Sequence, residues 1–417
     1  MKTWALYAGI DWSENLNDLA VVDRNGQVVA THRFEATPAG VREALAVISA
    51  LRASHGFSRK SVPVAIEASR GLLVTALRQH GQTVVPVHPA TVARYRGRIN
   101  PGNRKKSDAG DAALLANILR ADGHLHRPLP HNSEPVDALG ALTRAQLRAV
   151  RTRQHHYLQL RAQLRAVHPA AVTAWAHLDG RLFRPEAREV IALAPTSGSA
   201  ARLTRRQIRD ALERAGRIRL LDAEAERLHA LFRAGTIRNA PMVEDALGRE
   251  VRATVRLLSE ACATADEFAD AAAELFTQHP QHLIYLSFPG IGLLTGSRLL
   301  AELGDDPDRF ATAKGLAAYA GARPFTWASG SSRKVMHRRI AANKRLAAYG
   351  HHWAFSSLTR SPECRAHYDR RRAAGDRHTA ALRNLLARLL SSLHHCLRHG
   401  QEFDPAAWPR APEPAPG

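Results

Sequence analysis

Cysteine is scarce in this sequence, which has only Cys262, Cys364 and Cys396 among its 417 residues. They form neither a disulfide framework nor a CxxC metal pair, so we expect a reduced, cytoplasmic protein. Long apolar runs are missing too, and the longest fall far short of the roughly 20 residues that a membrane-spanning helix requires. The apolar N-terminal run ends at Asp11 without a small-residue cleavage site, which argues against a signal peptide. We therefore expect no membrane partner.

Acidic residues are outnumbered, with 38 Asp and Glu against 59 Lys and Arg. The formal net charge of +21 and the pI of about 11.0 predict a surface that attracts a polyanion, and nucleic acid is the first candidate. A membrane surface is the competing explanation for such basicity, but no spanning segment supports it. The length of the chain suggests two or three domains.

The first 125 residues have the pattern of an α/β domain. Strand-like runs recur, an Asn25-Gly26 turn joins two of them, and helical segments separate the later ones. The predicted strands span residues 4–10, 19–22, 28–34, 62–69 and 83–89, and the predicted helices span 38–52 and 71–80 and begin again at Ser107. This order is that of the ribonuclease H-like, or RuvC-like, fold, in which helices cover both faces of a mixed sheet.

The rest of the chain is predicted to be mostly helical. In the segment 132–278, apolar residues recur mostly every three or four positions, at Leu147, Val150, Tyr157, Leu160, Leu164 and Val167. This predicts an antiparallel coiled-coil arm, whose seam belongs either to an intramolecular bundle or to an oligomer contact. A break at residues 197–199 precedes a helix with Thr204 and Gln207 in capping-box spacing.

Three segments follow the helical region. Residues 279–376 are rich in small residues and form a predicted domain of their own, and residues 377–403 form a predicted C-terminal helix. Residues 404–417 are rich in Pro and Ala with little periodicity, and we expect them to be disordered.

Four carboxylates occupy matching places in the predicted α/β domain. Asp11 ends the first strand, Glu67 lies late in the central strand, and Asp108 and Asp111 stand three apart at a helix start, so that both project from nearly one face. Carboxylate oxygens are ligands that Mg²⁺ prefers, and a pair of such ions stabilises the attacking and leaving oxygens in phosphoryl transfer. The four acids therefore predict a site for two Mg²⁺ ions.

A structural explanation exists for some of these acids. Asp108 and Asp111 also fit first-turn residues that complement a helix dipole, and a strand-end Asp11 alone is weak evidence. Glu67 is harder to explain this way, because a buried carboxylate without a partner is costly. The neighbouring Asp18, with Glu14 and Asp23, is interpreted as a surface or turn residue.

A basic segment lies between Glu67 and Asp108. Its cations are Arg94, Arg96, Arg98, Arg104, Lys105 and Lys106. We interpret it as a loop with Gly and Pro, which is commonly just solvated. Beside a phosphoryl-transfer site it is predicted to hold backbone phosphates without base specificity.

The glycine-rich part of the C-terminal region offers two further candidates. Gly290 and Gly292 in PGIG resemble a helix-hairpin-helix motif, whose amides meet a DNA phosphate, although a tight interhelical turn explains the same letters. Ser329 lies in a polar loop and is either a turn residue or a nucleophile that attacks a phosphodiester. The cations that follow it are Arg333, Lys334, Arg338 and Arg339.

These motifs together resemble one family, the transposases of bacterial insertion sequences of the one-ten type, which include relatives that invert pilin genes. GIDWSEN, AIEAS and KKSDAGDAALLA are similar to the N-terminal DEDD domain of the family, which is related to the Holliday-junction resolvase RuvC. PGIGLLTGSRLLAELGD, GLAAYAGARP and the Ser-Gly loop are similar to its C-terminal transposase domain. The joint occurrence is far more specific than any single motif.

The resemblance implies a mechanism. It implies that Asp11, Glu67, Asp108 and Asp111 bind Mg²⁺ and that a serine at the position of Ser329 forms a covalent phosphoserine link to DNA. It also implies a composite centre in a dimeric or tetrameric homo-oligomer, recognition of donor and target DNA through a bridge RNA, and action at the nucleoid. The nearby Ser331 and Ser332 leave the register of the nucleophile open.

Two other functions fit the residues. A RuvC-like structure-selective endonuclease would use metal-activated water and needs no serine. A nucleic-acid-binding protein with a degenerate acidic site would need neither. A DNA recombinase that mobilises its own insertion sequence is the leading hypothesis.

Overall fold

The chain divides into two compact units, residues 1–131 and residues 132–417. The computed structural model describes residues 6–58, 61–99, 108–178, 180–235, 238–329, 332–336 and 342–407. None of the helices in these ranges is long and apolar enough to cross a membrane.

The described residues of the first unit form one five-stranded sheet and four α-helices. Its elements in chain order are β1 (Tyr7–Asp11), β2 (Leu16–Val22), β3 (Val28–Glu35), α1 (Pro38–Ser54), β4 (Val64–Ile66), α2 (Leu72–Gln79), β5 (Val84–Pro86), α3 (Pro89–Ile99) and α4 (Asp108–Asp122). The predicted α/β organisation of this region is confirmed.

The sheet is mixed, with strand order β3-β2-β1-β4-β5. The antiparallel β1, β2 and β3 form the first half, and β4 runs parallel to β1 and to β5. One face packs against α1 and α2, and the other packs against α3 and α4. The predicted turn between β2 and β3 is present, with Gly26 at a φ of 87° and the Asp23 carboxylate accepting from the backbone of Asn25 and Gln27.

Part of the predicted basic loop is helical. Residues 89–99, with Arg94, Arg96 and Arg98, form α3, which begins where the Ala90 amide donates to the His88 ring at 3.1 Å. The loop prediction was wrong for this stretch because Arg, Ala and Tyr support a helix and the Gly-Pro punctuation comes only later. Arg104, Lys105 and Lys106 lie outside the described residues.

In the second unit, the part of the chain that the structure describes is mostly helical and includes one β-hairpin. Its elements are α5 (Glu134–Val167), α6 (Pro169–Ala174), α7 (Pro185–Leu193), α8 (Ser197–Ala201), α9 (Arg205–Arg214), α10 (Leu221–Arg233), α11 (Pro241–Thr277), α12 (His282–Leu286), α13 (Leu293–Leu303), α14 (Ala313–Tyr319), β6 (Phe325–Ser329), β7 (Ser332–Met336), α15 (Lys344–Ser357), α16 (Pro362–Ala373) and α17 (His378–His399).

The long helices α5 and α11 pack antiparallel within the chain. The Gln163 side chain donates to Glu250 at 2.7 Å, and Arg153 lies 4.0 Å from Asp266. The predicted seam residues Leu160 and Leu164 are buried in the core that α11 shares with α6 to α10. Of the two alternatives for the seam, the intramolecular bundle is therefore the one present.

Residues near the predicted helix break differ in part from the expectation. The predicted capping box of Thr204 and Gln207 is present at the start of α9. Residues 197–199 are not a break, since they begin the short helix α8, which Thr196 caps with Ser199 in a second capping box. The Thr side chain ahead of a Ser-Gly-Ser run supplies the helix start that the small residues concealed.

A leucine-rich core joins α12 to α17. Leu385, Leu389 and Leu393 of α17 are buried in it. Phe403 packs on Phe288 with ring centroids 4.5 Å apart, so the chain remains attached beyond the last helix. In the segment predicted to be disordered, Pro405–Ala407 form a 3-10 turn, and residues 408–417 lie outside the described residues.

Candidate active site

Helix α4 sits directly on strand β1 at Gly9. A Cβ atom built on Gly9 would lie 2.1 Å from the Ala112 carbonyl oxygen and 2.6 Å from the Ala116 amide nitrogen. Only a glycine permits this backbone-to-backbone approach. The contact between Gly9 and Ala112 lies two residues before Asp11 on the strand and one residue after Asp111 on the helix. It therefore brings the two acids to the same end of the sheet.

Asp11 and Glu67 follow neighbouring parallel strands in register. Ile10 of β1 pairs with Ile66 of β4, and each acid comes one residue later, at the carboxyl end of its strand. Adjacent strands lie about 4.8 Å apart. Strand alternation places Asp11 on the face of Gly9, and Glu67 on the face of the buried Ala65, which packs in the α4 core. Both acids therefore belong to the α4 side of the sheet.

Asp111 is buried and engaged by an arginine. The Arg96 guanidinium of α3 donates two hydrogen bonds to Asp111 Oδ1, at 2.7 and 3.1 Å. Arg96 thus neutralises the charge of Asp111. The sequence had predicted a phosphate contact for this arginine. Asp108 is the first residue of α4, and its side chain is outside the description.

Asp18 is a further acid at this edge of the sheet, and its interpretation as a surface or turn residue was wrong. It lies in β2 directly opposite Asp11, is 7% exposed, and forms a bidentate ion pair with Arg33 of β3 at 3.0 and 3.1 Å. The polar run SENLND conceals this strand in the sequence. The structure reveals it because cross-strand partners share a face.

The described side chains do not yet form a metal-binding cluster. Within the described ranges, no three Asp, Glu, His or Cys side chains lie close enough to hold an ion as they stand. The donor set at this edge nevertheless consists of carboxylates, the ligands of a hard divalent cation. Asp111 is hydrogen-bonded to Arg96 rather than grouped with other acids.

The predicted nucleic-acid contacts are distributed over both units. Arg94 and Arg98 are exposed on α3. In the second unit, Gly290 has a φ of 82°, and a Cβ there would lie 2.7 Å from the Ser357 amide, so this glycine serves close packing against α15. Gly292 caps α13, and a Cβ there would meet nothing within 4 Å.

Ser329 ends a strand and does not lie within a long loop. It is the last residue of β6 and pairs in register with Ser332, the first residue of β7. Arg333 and Lys334 belong to β7, while Ser331, Arg338 and Arg339 lie outside the described residues. The hairpin therefore presents the Ser329 backbone at its turn.

A hydrogen-bond network ties together the two ends of the segment that carries the hairpin. The Asn343 amide donates to the Tyr319 carbonyl at 2.8 Å, and its side chain donates to the Tyr319 hydroxyl at 2.9 Å and to Glu302 at 2.6 Å. Glu302 is 5% exposed and pairs with Arg345, and Arg309 donates to the Tyr319 hydroxyl at 3.1 Å. Sequence reasoning missed this network because its members lie far apart in the chain.

Comparison with known proteins identifies the family. A DEDD-type IS110 transposase model matches residues 8–169, and the model of the transposase IS116/IS110/IS902 family matches residues 283–369. A mini-circle protein of Streptomyces coelicolor, named as a transposase for IS117, is 47% identical over 400 residues, which cover 96% of this chain and 95% of that protein. The chain belongs to the IS110 family of transposases.

Proteins encoded by two further insertion elements match most of the chain. The 42 kDa protein of insertion element IS900 from Mycobacterium paratuberculosis is 29% identical, over 96% of this chain and 98% of its own. The 43.6 kDa protein of IS110 from Streptomyces coelicolor is 30% identical over 81% of each. The chain is accordingly an enzyme that cleaves and rejoins DNA in transposition, and its DEDD domain indicates dependence on a divalent metal.

Proposed function

We propose that this transposase mobilises its insertion sequence with a serine nucleophile and Mg²⁺ held by Asp11, Glu67, Asp108 and Asp111. The observation that carries the proposal is the seating of α4 on Gly9, beside the adjacent strand ends at Asp11 and Glu67. The strand order β3-β2-β1-β4-β5, with helices on both faces, supports a ribonuclease H-like fold for the first unit.

Each acid has a separate role in this proposal. Asp11 and Glu67 are fixed by the strands, and Asp108 and Asp111 arrive with α4. Two Mg²⁺ ions, when bound, would neutralise charge on the scissile phosphate and on the oxygens that attack and leave. In the absence of a metal ion, Arg96 pairs with Asp111, and this ion pair limits repulsion between the carboxylates.

The serine acts on the DNA phosphorus in two steps. The Ser329 hydroxyl loses its proton to solvent or a nearby base as its oxygen bonds to phosphorus, and the bond from phosphorus to the DNA leaving oxygen breaks as that oxygen takes up a proton. A second DNA hydroxyl then loses its proton and attacks the phosphoserine phosphorus, and the bond from phosphorus to the serine oxygen breaks as the serine regains a proton. Arg333 and Lys334, with Arg338 and Arg339 further along, would neutralise the charge that develops.

DNA recognition in the proposal is delegated to a bridge RNA. Backbone phosphates near the carboxylates would be held by basic residues, namely Arg94, Arg98, Arg104, Lys105 and Lys106. In the second unit, backbone amides at the start of α13, after Gly292, would hold a phosphate. A homo-oligomer, either a dimer or a tetramer, would supply the serine and the carboxylates of one reaction centre. Chromosomal DNA as substrate implies action at the bacterial nucleoid.

A covalent adduct tests the serine. Wild-type protein is incubated with labelled DNA of the element end, Mg²⁺ and the RNA transcribed beside the gene, and denaturing electrophoresis separates protein-linked DNA. Ser329→Ala is expected to abolish both the adduct and cleavage, and the matched Ser332→Ala is expected to retain both. Retained cleavage without any adduct would favour the RuvC-like endonuclease, which uses metal-activated water.

A second pair of variants tests the carboxylates. Asp11→Asn with Glu67→Gln keeps size and hydrogen bonding but removes two charges, so cleavage in Mg²⁺ should fall below detection while DNA binding remains. Recombination by this double variant would exclude both catalytic mechanisms and leave a binding protein with a degenerate site.

A further inference from the structure

An apolar groove of about 730 Å³ opens at the carboxyl ends of β1 and β4, on the face that carries α1 and α2. The side chains that matter for its chemistry are apolar at the centre and charged at the rim. They are Trp12, Leu72, Leu73, Arg42, Arg70 and Glu14. Its volume falls within the range of about 300–1,000 Å³ that is typical of sites for small ligands.

Two large apolar side chains in the groove face solvent. Trp12 is 51% exposed and Leu72 is 90% exposed, although both lie within a well-packed α/β unit. Leu72 opens α2 directly after Gly71, whose φ of 114° is accessible to glycine and turns the chain outward there. The exposed indole and the exposed aliphatic side chain therefore offer apolar surface on which a flat apolar ligand can pack.

The groove adjoins the carboxylates through the backbone. Trp12 follows Asp11, and Ala68 follows Glu67, so each acid and its groove neighbour are consecutive residues. Alternation directs consecutive residues to opposite faces, with the acids toward α4 and the groove toward α1 and α2. The groove and the acids therefore lie on opposite faces of the same sheet end, and a strand of nucleic acid that crosses this end can contact both.

The rim charge identifies the class of ligand. Arg42 and Arg70 line the groove against one acid, Glu14, so its charge complements a phosphate. An apolar protein segment would match the apolar floor but would not need cations beside a phosphoryl-transfer edge. A nucleotide matches both, because its base has an apolar face and its phosphate has a negative charge.

We propose that this groove binds one unstacked nucleotide of the DNA strand that is cut, with its base on Trp12 and Leu72 and its phosphate at the rim arginines. The inference rests on the proposed function for the position of the scissile phosphate. It assigns a role to Trp12, which lies outside the set of metal-binding and nucleophilic residues. The groove would hold the strand in a fixed register while the neighbouring phosphate reacts.

Photocrosslinking tests the inference directly. Element-end DNA carrying 5-iodouracil at single positions on each side of the cut is bound to the full chain loaded with its RNA, irradiated without Mg²⁺, and mapped by mass spectrometry. One position is expected to crosslink to Trp12. Trp12→Ala should weaken DNA binding about ten-fold, the effect of losing one stacked base, whereas Trp12→Phe should retain most of the affinity.

Two more variants control for folding and for non-specific effects. Leu72→Asp places a carboxylate at a 90% exposed position, so it should leave unfolding unchanged and still weaken binding about as much as Trp12→Ala. Phe355→Ala removes an aromatic residue that is 55% exposed in the second unit and should change nothing.

The outcomes separate this inference from the proposed function. If wild-type protein cuts DNA but no DNA position crosslinks to Trp12, the groove inference is wrong and the mechanism stands. Crosslinks from the RNA alone, or a change of oligomeric state as the only effect of Trp12→Ala, overturn the inference in favour of those occupants. A Trp12 crosslink with no cutting or adduct in wild type supports the groove and refutes the mechanism.

Discussion

Gly9→Ala should strongly reduce the rate of DNA cleavage by this transposase while the protein remains folded. The added methyl group would meet the Ala112 carbonyl oxygen at 2.1 Å, the Ala116 amide nitrogen at 2.6 Å and the Leu115 Cβ at 3.0 Å. Both short contacts are to helix backbone, which cannot rotate aside as a flexible side chain does. Helix α4 must therefore move away from β1 as a body.

The contact distances set the size of the shift. Real Cβ atoms essentially never approach another atom closer than 3.0 Å, so the 2.1 Å contact requires α4 to retreat by about 1 Å. Overpacking of this kind costs about 1–3 kcal/mol of unfolding free energy. A misplacement of about 1 Å at a reacting centre costs about 100-fold in rate. Because α4 carries Asp108 and Asp111, we expect cleavage to fall about 100-fold in a protein that stays folded, since native domains have about 5–15 kcal/mol of unfolding free energy.

The assay compares two measurements on one protein sample. Urea unfolding gives the stability, and single-turnover cleavage of element-end DNA over a range of Mg²⁺ concentrations gives the rate and the metal requirement. Gly235→Ala is the matched control, since a Cβ there meets nothing within 4 Å. Cleavage by Gly9→Ala at the wild-type rate and Mg²⁺ concentration would show that the seating of α4 does not position the metal ligands.

Three further variants test other contacts. Arg96→Gln removes the ion-pair partner of the buried Asp111, so it should lower the melting temperature without metal and increase the rise in melting temperature that Mg²⁺ causes. Burial lowers the pKa of His168 from 6.5 to about 4, so unfolding free energy should fall by about 3 kcal/mol as the pH falls through this window, and His168→Leu should remove that dependence. Tyr319→Phe removes the hydroxyl that accepts from Asn343 and should slow adduct formation without weakening DNA binding.

Each of these variants has its own contradicting result. Arg94→Gln, on the exposed side of α3, should leave the Mg²⁺ effect unchanged, and an equal change in both arginine variants would point to general electrostatics. For His168, unfolding is favoured at low pH because the ring binds a proton in the unfolded chain and stays neutral when it is buried in the fold. An unfolding free energy that is independent of pH would contradict the lowered pKa. Equal losses in affinity and adduct rate for Tyr319→Phe would indicate only a folding defect.

The local sequence was sufficient for the elements that carry the carboxylates. Short apolar runs predicted the strand that ends at Asp11 and the strand that leads to Glu67, and an apolar run after two acids predicted α4. These signals are short-range, since side-chain periodicity and turn chemistry depend on neighbours within one element. The Thr204 capping box and the Asn25-Gly26 turn were predictable for the same reason.

Local patterns failed where a residue's role depends on a distant partner. Asp18 was taken for a surface or turn residue because its neighbours are polar, yet it pairs with Arg33 across a strand boundary. Arg96 was predicted to bind phosphate, and the fold places Asp111 against it. The extent of the basic loop was wrong because helix propensity in an arginine-rich segment competes with its later Gly and Pro.

The sequence by itself indicated phosphoryl transfer on nucleic acid, through its excess of cations and its four carboxylates, and offered C-terminal serines as candidate nucleophiles. Only the tertiary structure decided which of these groups meet. Gly9 seats α4, the register of β1 and β4 aligns Asp11 with Glu67, and the same strand ends open the Trp12 groove. The reason is physical: a carboxylate gains its role from the charges and surfaces within a few ångströms of it, and folding brings those from residues far away in the chain.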